Sequence, residues 1–258
     1  MIFLFLALLL TEPCWAETGH RIISLAPNTT EILFALGLGD YIVGVDEFSN
    51  YPDKAKNIER VGSFNNPNIE NIILLKPDFI IVNTELENDK ADYLKGMGIK
   101  IMVISPKNIE GLCNDIKTLG AVFDREKNAE AIIKDIKIRT RDVSHNIKGE
   151  RPKVFVQLFD DPLITVSSFI SDIIGLAGGD NIAQDIKAEA GIFSYEALIQ
   201  RNPDIIIIIG FSGNANFPDS INAVKNNKVY KNLDPDILLR PGPRVIEAIE
   251  QLNRIFYE

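Results

Sequence analysis

Apolar and polar positions in this chain fall into two copies of one arrangement. Residues 68–83, NIENIILLKPDFIIVN, and residues 193–210, FSYEALIQRNPDIIIIIG, each run polar residue, Glu, short apolar helix, Pro-Asp and a stretch of β-branched residues. Glu70 and Glu196 each stand seven residues ahead of a proline, Pro77 and Pro203. The flanks repeat as well. RIISLAPNTTEILFALGLGD predicts a strand, a loop and a helix ending in glycine, and KVFVQLFDDPLITVSSFISDIIGLAGGD predicts the same order with a longer loop. KIMVIS and KVYKNL occupy corresponding later strands. Strands alternating with helical stretches imply βα units and a mainly parallel sheet in each half. The near-continuous apolar strands FIIVN and IIIIIG agree, because a strand covered by helices on both faces has no polar side.

Between the halves lies DREKNAEAIIKDIKIRTRDVSHNIKGERP. Ala129, Ile132, Ile133, Ile136, Val143 and Ile147 recur at near-helical spacing among charged residues, which predicts one long amphipathic helix, ended by Gly149 and Pro152. The expected fold is therefore α/β: an N-terminal lobe over 17–123, a linking helix over 124–150 and a C-terminal lobe over 151–258, both lobes Rossmann-like. A single long helix is a stiff connection, unlike the loose linkers that permit wide hinge closure.

The 258 residues are 46% hydrophobic, ample for a buried core. A formal charge of −9 with no basic run argues against nucleic acid, whose affinity rests on Lys and Arg neutralising phosphates. The opening MIFLFLALLL followed by TEPCWAETGH reads as a secretory signal over 1–16 with cleavage after Ala16. The apolar run is too short to span a bilayer as a helix of roughly 20 residues. A lipid-anchored Cys14 is the rival reading, which Glu12 and Pro13 fit poorly. After cleavage Cys113 is the only cysteine, a small buried hydrophobe on the helix of NIEGLCNDIKTLG, and no intramolecular disulfide can form.

Catalysis is disfavoured. The two histidines, His20 and His145, fall far apart in the predicted layout, and no nucleophile elbow, P-loop or dinucleotide fingerprint appears. LGLGD and LAGGDN lack the glycine spacing of a nucleotide loop and read as helix C-caps. Direct capture of zinc or manganese is disfavoured too, since zinc prefers His and Cys ligands and no cluster of either exists. A non-transport scaffold built on the same fold is a further alternative, because fold does not determine function.

The chain resembles the helical-backbone class of periplasmic substrate-binding proteins that serve ABC importers of cobalamin, ferric siderophores and haem. The residues that carry the resemblance are RIISLAPNTTEILFALGLGDYIVGVDEFSNYP, VGSFNNPNIENIILLKPDFIIVN, GLAGGDNIA, NPDIIIIIG and LLRPGPRVIEAIEQL, in order over nearly the whole mature chain. It implies an exported, monomeric, non-enzymatic receptor without a cofactor, delivering a metal chelate to a membrane permease and its ATPase. Cobalamin ranks ahead of a siderophore or haem. It also implies a ligand cleft between the lobes at the carboxyl ends of the strands, where open α/β sheets present loops. Phe48, Phe64, Phe159, Phe193, Tyr195 and Phe211 fall in those loops, and a flat macrocycle is held chiefly by aromatic and apolar surface.

By the same resemblance, Phe48 and Phe64 match a Tyr and a Trp that the cobalamin-binding member presents to its ligand, and Asp236 and Arg240 match a carboxylate and a guanidinium near its pocket. Two further tryptophans of that member have no counterpart, Asn83 and the AEAG segment standing in their places. Arg240 carries a fork able to meet a ligand carboxylate or phosphate, whereas Arg244 beside Pro243 reads as a residue that starts the last helix. The expected ligand-binding set is thus Phe48, Phe64, Phe159, Asp236 and Arg240. Glu70 and Glu196 fall in first helical turns, where a carboxylate favours the helix dipole. The resemblance adds that one such glutamate per lobe docks on arginines of the two permease subunits.

Overall fold

The computed structural model describes residues 19–210 and 216–257. The expected signal segment with Cys14, and Phe211, lie outside them. The N-terminal lobe is a four-stranded sheet in the order Ile42–Val45, Ile22–Ser24, Phe79–Val82, Lys100–Val103, with every pairing parallel. The second lobe repeats this frame as Asp180–Asn181, Lys153–Asp160, Ile205–Ile208, Val229–Tyr230, again all parallel. It then adds two strands. Leu163–Val166 turns back antiparallel on Lys153–Asp160, and Ala190–Ile192 pairs antiparallel beyond it. The longer loop expected in the second copy is thus largely a β-hairpin. LITV is short, and its flanking Asp-Pro reads locally as loop.

Successive residues of the central strands enter different cores, as a period of two requires. Phe79 and Ile81 face one core and Ile80 and Val82 another; Ile205 and Ile207 are separated from Ile206 and Ile208 in the same way. The inner faces of both sheets share one continuous core with Ala129, Ile136 and Val143 of the linking helix and with Val245, Ile249, Leu252 and Phe256 of the C-terminal helix Val245–Tyr257. Full burial of an aliphatic side chain contributes about 1.5–3 kcal/mol. Wide lobe separation would re-expose several, so the stiffness comes from this shared core as well as from the helix itself.

The linking helix spans Glu126–Ser144, 19 residues inside the expected 124–150. It stops at His145, and Gly149, with φ of +74°, turns the chain toward the second lobe. Cys113 is buried on the helix Ile109–Val122 as expected, and burial pushes its thiol above the ordinary range. LGLGD and LAGGDN are helix ends. Gly37 and Gly178 adopt φ of +78° and +96°, and the next residues, Leu38 and Gly179, donate back to Leu33 O and Ile174 O.

The repeated Glu and Pro-Asp motif has a structural basis in both copies. Asn68 Oδ1 accepts from Asn71 N at 3.1 Å, and Ser194 Oγ from Ala197 N at 3.0 Å, so each short helix carries an N-cap two residues before its glutamate. After the helix, Lys76 and Asn202 take left-handed conformations that end it before the proline. The aspartate then reaches across to the first strand of its own lobe. Asp78 Oδ2 accepts from Arg21 N at 2.7 Å, and Asp204 Oδ2 from Lys153 N at 3.0 Å, which holds the central strand pair in register.

Candidate functional site

Loops at the carboxyl ends of both sheets meet across a cleft that contains a cavity of about 250 Å³. The first lobe contributes Asn28, Asn83, Thr84, Ser105 and Pro106, which follow the strands Ile22–Ser24, Phe79–Val82 and Lys100–Val103. The second contributes Val166–Ile170, Glu189 and Ala190, and Leu238, Leu239 and Pro241 close one end. Such strand-end positions are where open α/β sheets bind ligands. Ser168, at the start of the helix Phe169–Ala177, has φ of 54° and ψ of −111°, a conformation costly for any residue but glycine, and it lies in the cavity wall.

Three of the expected ligand aromatics crown the same ends of the sheets. Phe48, in the loop after Ile42–Val45, is 55% exposed; Phe64, at the tip of the Gly62–Ser63/Asn66–Pro67 ribbon, is 38% exposed; Phe159, near the end of Lys153–Asp160, is 42% exposed. None of them lines the cavity itself. Phe193 has a different place. It is 5% exposed, packs on Phe155 at 5.2 Å and carries the Arg201 guanidinium over its ring, so it is a core residue. Tyr195 is exposed on the helix Tyr195–Arg201 beside the exposed Glu196, and Glu70 is likewise exposed on Ile69–Leu74.

Asp236 and Arg240 stand in a knot between the C-terminal segment and the first lobe. Arg240 Nη1 donates to Asn50 Oδ1 at 2.7 Å and to Glu31 Oε1 at 3.3 Å, while Nη2 donates to Phe48 O at 3.3 Å and meets Asp236 Oδ1 at 2.8 Å. Asn50 Nδ2 donates to Asp236 Oδ2 at 3.1 Å. Both terminal nitrogens of Arg240 are thus committed to protein acceptors, and together these residues hold the Phe48 loop. Arg244 precedes the last helix, and its guanidinium joins Glu31 and lies 3.9 Å from the centre of the Tyr51 ring.

The loop is anchored from below by residues that sequence reasoning did not single out. Ser24, Thr29, Thr30, Ser49 and Asp46 form a buried chain of hydroxyls ending on a carboxylate, with Thr30 and Ser49 oxygens 2.7 Å apart and Ser49 donating to Asp46. Burial pushes the Asp46 carboxyl above its ordinary range, opposed by the Ser49 hydroxyl and the Phe48 N–H. The network appears only when the loop carrying Asp46 and Ser49 packs on the helix that holds Thr29 and Thr30. Further contacts bridge the lobes: Lys107 pairs with Glu189, and Asp172 Oδ2 accepts from Ile109 N at 2.7 Å, capping a helix of the other lobe. Among the described residues no group of three or more His, Cys, Asp or Glu is placed to hold a metal ion.

The profile of the periplasmic binding protein family matches residues 22–237. An ABC transporter substrate-binding lipoprotein of Bacillus subtilis, YvrC, itself uncharacterised, is 32% identical over 92% of this chain and 80% of its own. The vitamin B12-binding protein of Vibrio cholerae is 34% identical over 97% of this chain and 93% of its own. The crystal structure of the periplasmic vitamin B12 binding protein BtuF of Vibrio cholerae superposes with a TM-score of 0.80 at 30% identity, covering 92% of this chain and 96% of that one. A periplasmic solute-binding protein of Staphylococcus epidermidis, described as a possible iron-binding protein, superposes with a TM-score of 0.79 at 30% identity, covering 93% and 99%.

Proposed function

The chain belongs to the periplasmic binding protein family, and from that premise we propose that it is the substrate-binding component of an ABC-type importer whose cargo is a metal-chelate nutrient, cobalamin in the first place. The observation that carries the reading is the interlobe cleft crowned by the exposed rings of Phe48, Phe64 and Phe159. Exposed aromatic surface at one end of a fold is costly in water and is recovered when an apolar ligand covers it. The chelate brings its own metal ligands, so the protein needs none. The likeness to vitamin B12-binding relatives supports cobalamin, and the likeness to the Staphylococcus epidermidis protein supports an iron chelate, siderophore or haem, as the second reading.

In this reading the receptor is exported to the periplasm, acts as a monomer without a cofactor or catalytic step, and hands its cargo to a permease and ATPase in the inner membrane. No described helix is long and apolar enough to cross a membrane. The exposed Glu70 and Glu196, one on each lobe at equivalent positions, supply the docking anchors. Titration with cyanocobalamin, haemin and a neutral ferric trihydroxamate, followed by calorimetry and the ligands' visible bands, tests the proposal. Binding of cyanocobalamin is expected; failure to bind any of the three rejects the reading.

A further inference from the structure

Phe48 sets an exposed ring on a backbone held from several sides. Around it, Asp46 N donates to Ser24 O at 2.9 Å, Glu47 N to Gly62 O at 3.1 Å and Ser49 N to Asp46 O at 3.4 Å. The carbonyls of Asp46 and Ser49 accept from Arg60 Nη1 at 2.7 and 2.8 Å, and that of Phe48 accepts from Arg240 Nη2 at 3.3 Å. The N–H of Phe48 itself depends on a side chain. It donates to Asp46 Oδ2 at 3.0 Å.

A carboxylate is a costly choice for that task. Asp46 is fully buried, and a charge closed off from water must be compensated by hydrogen bonds and nearby cations. Arg60 and Arg240 supply the positive charge. The two carboxylate oxygens have different partners. Oδ2 closes a side-chain turn on Phe48 N, while Oδ1 accepts from the Ser49 hydroxyl, which lies 2.7 Å from Thr30 Oγ1 on the helix Pro27–Ala35. The carboxylate is thus seated against a rigid helix on one side and holds Phe48 on the other. A ring carried on an ordered loop binds without the loss of freedom that a loose loop would incur, so fixing this backbone raises affinity without any contact to the ligand.

We propose that Asp46 is a positioning residue for cargo binding, a buried acceptor that fixes where the Phe48 ring stands at the mouth of the cleft. This rests on the reading of Phe48 as ligand surface. Asp46 is not among the residues lining the cavity, so it acts through Phe48 alone. The task needs an acceptor for Phe48 N, not a charge. Asparagine meets it, because its Oδ1 accepts from Phe48 N and its Nδ2 donates to Ser49 Oγ, whose proton then passes to Thr30 Oγ1. Alanine and valine offer no acceptor.

The test is a double-mutant comparison. Cyanocobalamin, haemin and a neutral ferric trihydroxamate are titrated into wild type, and the probe bound most tightly is carried through Phe48→Ala, Asp46→Ala, Asp46→Asn and the combination of Phe48→Ala with Asp46→Ala, with melting temperature recorded for each. Asp46→Ala is expected to weaken binding about tenfold, and Asp46→Asn by less than about threefold. In the Phe48→Ala background Asp46→Ala is expected to add no further loss, because no ring remains to be placed. If Asp46→Ala fails to fold, Asp46→Val, which fills the space and offers no acceptor, takes its place in both backgrounds. Wild-type affinity in the folded variant, an equal loss with and without the Phe48 ring, or Asp46→Asn as weak as Asp46→Ala overturns the positioning role and leaves the chelate reading intact. Wild-type affinity in Phe48→Ala removes Phe48 from the ligand surface and overturns the inference with it. Failure of wild type to bind any of the three overturns the chelate reading itself, and the positioning role falls with it.

Discussion

Glu31 and Arg244 form a two-point ion pair, Arg244 Nη2 at 2.7 Å and Nε at 2.9 Å from the two carboxylate oxygens, with the Glu31 side chain 3% exposed. It ties the first helix of the N-terminal lobe to the segment before the last helix of the chain. Glu31→Gln leaves the Arg244 guanidinium largely buried without its carboxylate and is expected to cost about 3 kcal/mol or more; Arg244→Ala is expected to cost less, because Arg240 Nη1 stays on Glu31 Oε1 at 3.3 Å. The double variant is expected to cost less than the sum of the two. Denaturant unfolding checks this, and single variants as stable as wild type would show the pair to be dispensable.

Asp78 and Asp204 perform the same task in the two lobes, so the same substitution has parallel consequences. Alanine at Asp78 removes the hydrogen bond donated by Arg21 N, an expected loss of about 1 kcal/mol, and alanine at Asp204 removes those donated by Lys153 N and Asn222 Nδ2, an expected loss of about 1–2 kcal/mol. The two losses are expected to add, since the sites belong to different sheets. Thermal melts of both single variants and the pair measure it.

Phe64 and Phe193 separate ligand surface from core. Phe64→Ala is expected to weaken cyanocobalamin binding by about 1–3 kcal/mol, the range for a stacked aromatic, with little change in melting temperature. Phe193→Ala is expected to cost about 3–5 kcal/mol of stability. A Phe64 variant that melts early and binds normally would place Phe64 with the core residues.

Glu70→Arg combined with Glu196→Arg is expected to leave ligand affinity nearly intact and to lower stability only slightly, since both carboxylates are exposed and each short helix keeps its Asn68 or Ser194 cap. Permease binding and uptake are expected to be lost, because charge complementarity sets docking register and association rate. Normal transport by the double variant with its cognate permease would refute the docking role.

Acid sensitivity has an identifiable contributor. The Arg139 fork on Glu250, at 2.7 and 2.8 Å, holds the Glu250 carboxyl below its ordinary 4.5. A folded-state pKa below the unfolded one contributes stability present above pH 4.5 and lost as pH falls through the folded value. Asp46, raised by burial, works in the opposite sense and costs stability at neutral pH. Glu250→Gln is expected to flatten the acid limb of a stability profile between about pH 5 and pH 3. An acid limb as steep as wild type would exclude the pair as its source.

The first-turn places of Glu70 and Glu196, the glycine ends at Gly37 and Gly178 and the buried parallel strands were legible in the sequence because each depends on neighbours within a few residues. The repeat made them doubly legible, since two copies obey one local physics. The linking helix was readable from its spacing, although the periodicity of Ile147 carried it past Ser144, where the chain in fact turns. Partnership across the chain left no such trace. Glu31 looks like an ordinary helix residue until Arg240 and Arg244 arrive from the far end; the Leu163–Val166 hairpin looks like a loop until Lys153–Asp160 pairs with it; Phe193 and Phe159 look alike until packing buries one and exposes the other. Local conformational preference is written in adjacent residues, whereas burial and ion pairing depend on which distant surfaces meet, and only the folded chain decides that.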